Sequence, residues 1–224
     1  MVAARTSAAL VTPAPFVERM VHFWANHFAV SADKLTVIGL AGLLEFEAIR
    51  PHVLGSFRDL LRAVEQHPAM LLYLDQAQSI GPNSRGGQLA ERFGRQRRGL
   101  NENLAREVLE LHTLGVDGGY DQADVTELAR ALTGWTVSGL ARGPVRRLVG
   151  DSGPPGSFLF ADIIHEPGTR TLLGRSWAQP GEGQARTILD ALAIHPATAR
   201  HLAVKLARHF AGDDPPPAMV ERLR

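Results

Sequence analysis

Apolar positions recur every three to four residues along most of this chain, the period of a helix with one face on a core. Over 16–28, steps of 100° place Phe16, Val17, Met20, Val21, Phe23, Trp24 and Phe28 on one broad face and Glu18, Arg19, His22 and Asn26 on the other. His27 falls in the middle of the apolar face. A turn is expected at 31–34, then a helical stretch to Arg50 that Pro51 interrupts. Ser56 is placed to cap a helix over 56–66, and Pro68 opens a short one that ends near Asp75.

The stretch 79–99 reads as a loop, with Gly81, Pro82, Asn83, Gly86, Gly87, Gly94 and Gly99 and the interleaved Arg85, Arg92, Arg95, Arg97 and Arg98. It is either an anion contact or a solvated basic loop, and Phe93 is its one aromatic residue. A helix over 101–114 stops at Gly115, and Asp121 caps the next, with Asp124 three residues on and Tyr120 able to pack on Val125. That helix ends near Thr133, with Gly134 just past its end. The stretch 138–156 is rich in glycine and proline and reads as irregular. Over 157–173 a short hairpin is expected, Phe158 and Phe160 on one strand and Thr171 and Leu173 on the other, with the turn near Pro167 and Gly168. Helices return over 183–194 and 196–211 until Pro215, Pro216 and Pro217 break them.

Two segments repeat. RDLLRAVEQHPAMLLYL at 58–74 and RTILDALAIHPATARHL at 186–202 share seven of seventeen positions, including His67-Pro68-Ala69 and His195-Pro196-Ala197. Both read as helix, His-Pro junction, helix, because proline ends one helix and starts the next. Two copies do not make a solenoid. The two histidines are read as junction residues. The expected fold is mainly α, a single multi-helix bundle of helix pairs across 1–224 with one small β-hairpin near 157–173.

Bulk properties narrow the function classes. A net charge of +1 argues against general nucleic-acid binding, and the absence of cysteine excludes disulfides and thiolate metal sites. No apolar run is long enough for a transmembrane segment. Residues 1–10 carry one arginine and no apolar core, so they do not make a secretory signal peptide.

The segment 101–135, NENLAREVLELHTLGVDGGYDQADVTELARALTGW, resembles the signature stretch of the bacterial domain-of-unknown-function family 1800. Other pieces agree in order and spacing: FWANHF at 23–28, RPHVLGSFRDLL at 50–61, HPAMLLYLD at 67–75, HEPGTRTLLG at 165–174 and HPATARHLAVKLARHF at 195–210. Members of that family are typically longer, so the resemblance implies a central fragment of a longer protein. Missing flanking helices would leave apolar faces exposed, and low solubility of the chain alone is expected. The family lends no activity or catalytic residues. It implies an extracytoplasmic setting, through a partner family that carries export signals.

Candidate chemistry concentrates on the helix over 101–114. On its wheel Glu107 falls between Leu111 and Leu114, and His112 between Val108 and Ala105, so both point at a packed face and need partners. His27 has the same need, and His165-Glu166 lies at the expected hairpin turn. If the fold gathers His27, Glu107, His112 and His165, a divalent metal site is one reading. Glu107 and His112 as an acid/base pair is another, and buried pairs that only hold the bundle together are a third. There is no HExxH, GxSxG or phosphate loop. Trp24 and Trp135 read as core, and Trp177, in a polar loop, as the one exposed platform for a sugar. Two functions follow: a non-enzymatic module that works with a protein partner in an exported or envelope assembly, or an enzyme, a metal-dependent hydrolase or oxidoreductase, with a buried His/Glu site.

Overall fold

The computed structural model describes residues 2–92, 99–140 and 153–224. In chain order the helices are α1 (Val2–Val11), α2 (Pro15–His27), α3 (Ala41–Leu43), α4 (Phe57–Glu65), α5 (Pro68–Tyr73), α6 (Arg85–Arg92), α7 (Asn103–Glu107), α8 (Gln122–Leu132), α9 (Glu182–Ala193), α10 (Pro196–Ala211) and α11 (Pro217–Leu223). The strands are β1 (Trp135–Val137), β2 (Phe158–Phe160), β3 (Arg170–Leu172) and β4 (Arg175–Trp177). The protein is mainly α with small hairpins, as its periodicity implies.

Local signals act where the sequence places them. The Ser56 hydroxyl accepts from the Asp59 amide at the start of α4. Asp121 and Asp124 close a capping box on α8. Gly115 and Gly134 take left-handed backbone at φ +85 and +92, which glycine adopts at least cost. His67 and His195 are side-chain caps of the same design: each Nδ1 accepts the backbone N–H two residues on, at 3.1 and 3.2 Å. The repeated His-Pro-Ala junction is thus a physical device, proline fixing the first turn and histidine satisfying a free amide.

The two repeats also meet. α4 packs on α9, and the Arg62 guanidinium donates to the Asp190 carboxylate. In the alignment of the repeats these are equivalent positions, four residues after Arg58 and Arg186. Leu60, Leu61 and Val64 on one side and Ile188, Leu189 and Leu192 on the other, also equivalent, all belong to one core cluster.

Three regions depart from the sequence expectation. The strands at 158–160 and 170–172 form, but not with each other: β2 pairs with β1, and β3 with β4, both antiparallel. The tight turn is Leu173-Gly174, both with positive φ, and not Pro167-Gly168. Within the stretch read as a loop over 79–99, α6 forms. Ser84 caps it by accepting from the Gly87 amide at 3.0 Å. Its glycines serve close packing: a Cβ on Gly86 would lie 2.8 Å from Ile164. Arg95, Arg97, Arg98, Phe93 and Gly94, and 141–152 of the irregular stretch, lie outside the described residues. Trp177 is not an exposed platform. It is buried, and its indole N–H points to the Leu172 carbonyl at 3.4 Å. Trp24 and Trp135 are core residues, as expected.

The cap reading predicts that His195→Ala lowers stability by about 1 kcal/mol while His195→Asn, which keeps an acceptor, recovers most of it. Urea unfolding curves of the two variants check this, and equal losses would contradict it.

Candidate functional site

The centre of the molecule is an aromatic cluster with histidines in it. Trp24, Phe28 and Phe57 stack with ring centroids 5.6 to 6.3 Å apart. His27, the last residue of α2, is enclosed by these rings and by Phe23. An imidazole sealed among aromatics needs a partner for each nitrogen. Nε2–H donates to the His112 carbonyl at 3.1 Å, and Nδ1 accepts from Lys205 Nζ at 2.7 Å. A carbonyl can only accept, so these bonds fix the neutral Nε2–H tautomer. Burial first, then the Lys205 and His112 charges, hold His27 well below the usual histidine range. Lys205 is itself lowered by burial.

His112 lies 6.0 Å from His27, ring to ring. Its Nδ1–H donates to Glu65 Oε1 at 2.8 Å, and Glu65 is fully buried. The second carboxylate oxygen has no hydrogen-bond partner among the described residues. His201, one turn before Lys205 on α10, lies tilted at 6.1 Å from His27, ring to ring, and its Nε2–H donates to the Leu111 carbonyl at 3.1 Å. Burial lowers His201 also. Four elements therefore converge: α2 through His27, α4 through Glu65, the turn after α7 through His112, and α10 through His201 and Lys205.

That turn explains why the wheel misplaced a carboxylate. After Glu107 the helix widens into a π turn, Val108–His112, which adds a residue per turn and breaks the 100° spacing. His112 turns inward while Leu111 turns outward and is exposed. The Thr113 hydroxyl donates to the Val108 carbonyl at 2.6 Å and helps satisfy the widened turn.

Of the sequence candidates, the structure brings His27 and His112 together. Glu107 is half-buried and makes no hydrogen bond or ion pair among the described residues; Glu65 holds the position beside His112. His165 belongs to a different neighbourhood, where its Nδ1–H donates to the Thr133 carbonyl at 2.8 Å and its ring meets Phe160. Among the described residues no group of three or more histidine, aspartate or glutamate side chains is placed to hold a metal ion. Sequence reasoning missed Glu65 and Lys205. Both lie on amphipathic helices, where one charged residue on the buried face is indistinguishable from a boundary residue until the packing is known.

A second charged cluster lies near α1. Arg50 donates to both Glu18 oxygens at 2.8 and 2.9 Å and to Glu45 at 2.9 and 3.1 Å. Arg5 adds an ion pair to Glu45 at 3.1 Å. The hydrogen bonds from Arg50 lower the Glu18 carboxyl below its usual value. Glu45 sits on a second π turn, Leu44–Ile49.

Fold and site together define a mainly α protein of paired helices, tied at its centre by a histidine-based hydrogen-bond network. The model of the family described as protein of unknown function (DUF1800) matches residues 1–224, and the chain belongs to that family. No curated protein and no solved structure matches the chain.

The network predicts a pH dependence. His27, His67 and His201 have folded values below the unfolded one, so the unfolded chain binds more protons and acid favours it. The stability these groups contribute is complete above about pH 7 and is lost progressively below about pH 6.5. Thermal melts between pH 7.5 and 5 at constant ionic strength check this; a flat or rising Tm would contradict it. Glu65→Ala, which strands His112, is expected to cost about 3 kcal/mol, measured by chemical denaturation.

Proposed function

We propose that this chain is a non-enzymatic helical module that acts through a protein partner, in the exported or envelope assembly its family resemblance implies. The observation that carries this is the contrast between its sealed centre and the open apolar cavity at Phe46. His27, His112 and Glu65, the groups best suited to chemistry, are almost wholly buried and bonded to one another or to Lys205. Large apolar side chains meanwhile lie exposed near the start of the chain: Leu10, Val11, Phe16, Leu35, Ile38, Leu43, Phe46 and Leu54. Of these, Phe46 also lines a cavity of about 530 Å³, with Phe28, Val30, Leu44 and Ile49 as further apolar walls and Arg5, His22 and Glu45 as polar points. An apolar concave surface with a half-exposed aromatic ring at its wall and a few polar groups suits a protein contact. The occupant that fits is an apolar helix face of a partner, entering beside the Arg5–Glu45 pair.

An enzyme reading has one observation in its favour. A buried carboxylate orienting an imidazole on a π turn is an arrangement used in acid/base chemistry. The cavity beside Phe46 does not reach that pair, since neither Glu65 nor His112 lines it.

The test is cross-linking co-purification of the tagged chain from its own host, in parallel with Phe46→Glu and with Leu223→Glu as an exposed control. The module reading expects one stoichiometric partner, retained by the control and reduced at least about tenfold by Phe46→Glu. No stoichiometric partner, or equal recovery with both variants, would contradict it.

A further inference from the structure

His165 and Glu166 form a tightly hydrogen-bonded polar corner that the central network does not use. Thr133 holds both residues. Its carbonyl accepts from His165 Nδ1–H at 2.8 Å, and its hydroxyl oxygen accepts from the Glu166 amide at 2.8 Å while donating to the Arg130 carbonyl. The Glu166 carboxylate accepts from the Asn83 backbone amide at 2.8 Å and from the Asn83 side-chain amide. Two glycines let the backbone close around the pair. A Cβ on Gly81 would lie 2.7 Å from the Glu166 backbone, and Gly134, at φ +92, leaves 3.2 Å to His165 Cβ.

The consequence is a ring with one fixed face. Donation from Nδ1 to a carbonyl leaves Nε2 as the lone-pair nitrogen of the neutral imidazole. His165 is 8% exposed, lines a cleft of about 420 Å³, and its Nε2 has no hydrogen-bond partner among the described residues. An acceptor nitrogen without a partner, on a largely buried ring held at a cleft wall, is poised for a ligand that donates a hydrogen bond.

The rest of the wall selects the ligand class. Asp162 supplies a second acceptor, Arg85 and Gln179 supply donors, and Pro167 and Pro180 supply apolar rings. Neighbouring hydroxyl groups both donate and accept, and their carbon framework packs on apolar rings, so they match this alternation. Free anions fit less well, because Asp162 and the buried Glu166 already place negative charge beside the start of α6. A metal ion fits less well, because the Arg85 guanidinium shares the cleft. We propose that the cleft at His165 binds a neutral sugar, one hydroxyl donating to Nε2 and another to Asp162. This site goes beyond the partner-binding reading and stands or falls separately, since Phe46 is not part of it.

The test is calorimetric titration of the full chain with six neutral probes, glucose, galactose, mannose, xylose, arabinose and rhamnose, and separately with sodium acetate and zinc chloride. The expected result is saturable binding of at least one sugar, weakened about tenfold or more by Asp162→Ala and by His165→Phe. Asp162 makes no side-chain hydrogen bond among the described residues, so its variant keeps the test valid should His165→Phe fail to fold. Binding of none of the six sugars, binding that survives Asp162→Ala unchanged, or saturation by acetate or zinc alone would overturn the proposal.

Discussion

The centre of this protein is organised by the requirement that an imidazole enclosed in aromatic rings stay neutral and lose no hydrogen bond. His27 meets it with one carbonyl and one ammonium, and each bond recruits another element. The carbonyl belongs to His112, so the π turn after α7 must sit where it does. The ammonium belongs to Lys205, so α10 must lie along α2. Contacts along the rest of that interface agree: Arg19 lies over the Phe210 ring at 4.6 Å, and Phe23 meets His209 edge-on at 5.4 Å. The cost of burying Lys205 and Glu65 is offset by bonds that no apolar pair would specify, and they fix which helices meet.

Two buried histidines therefore end in opposite roles. His27 has both ring nitrogens committed and is sealed; it orders the core. His165 has one nitrogen committed to Thr133, and its ring lies at the wall of a cleft. The difference lies in the backbone around them. His27 sits on a helix end among bulky rings, whereas glycines at 81 and 134 bring bare backbone against His165 and leave its edge open. The cavity at Phe46 and the cleft at His165 share no lining residue.

Most of the fold was legible in the sequence because local physics decided it. The caps at Ser56 and Asp121, the glycine stops at 115 and 134 and the His-Pro junctions each act within a few residues, and all form as read. Strand pairing was not legible. β2 and β3 are close in sequence, but each has an alternative partner, and only the packing of Trp135, Leu172 and Trp177 into the core selects between them. In the candidate site, His27 and His112 were visible as polar residues on apolar faces. The pairing of His112 with Glu65 was not, because a single charged residue on the buried face of α4 reads as a boundary residue until the packing is known. The Arg62–Asp190 contact was half visible: the repeat shows the two positions are equivalent, but not that they touch.

The most direct test of the account is the protonation of the His27 ring, read from long-range proton–nitrogen spectra of the histidine-labelled protein between pH 7.5 and 5. The account predicts a neutral ring with the proton on Nε2 throughout the range in which the protein stays folded, and a bound-ammonium signature from Lys205 that is lost in Lys205→Met. A His27 ring that titrates in the ordinary histidine range near pH 6.5, or that carries its proton on Nδ1, would show that the central network is not what joins α2, the π turn and α10.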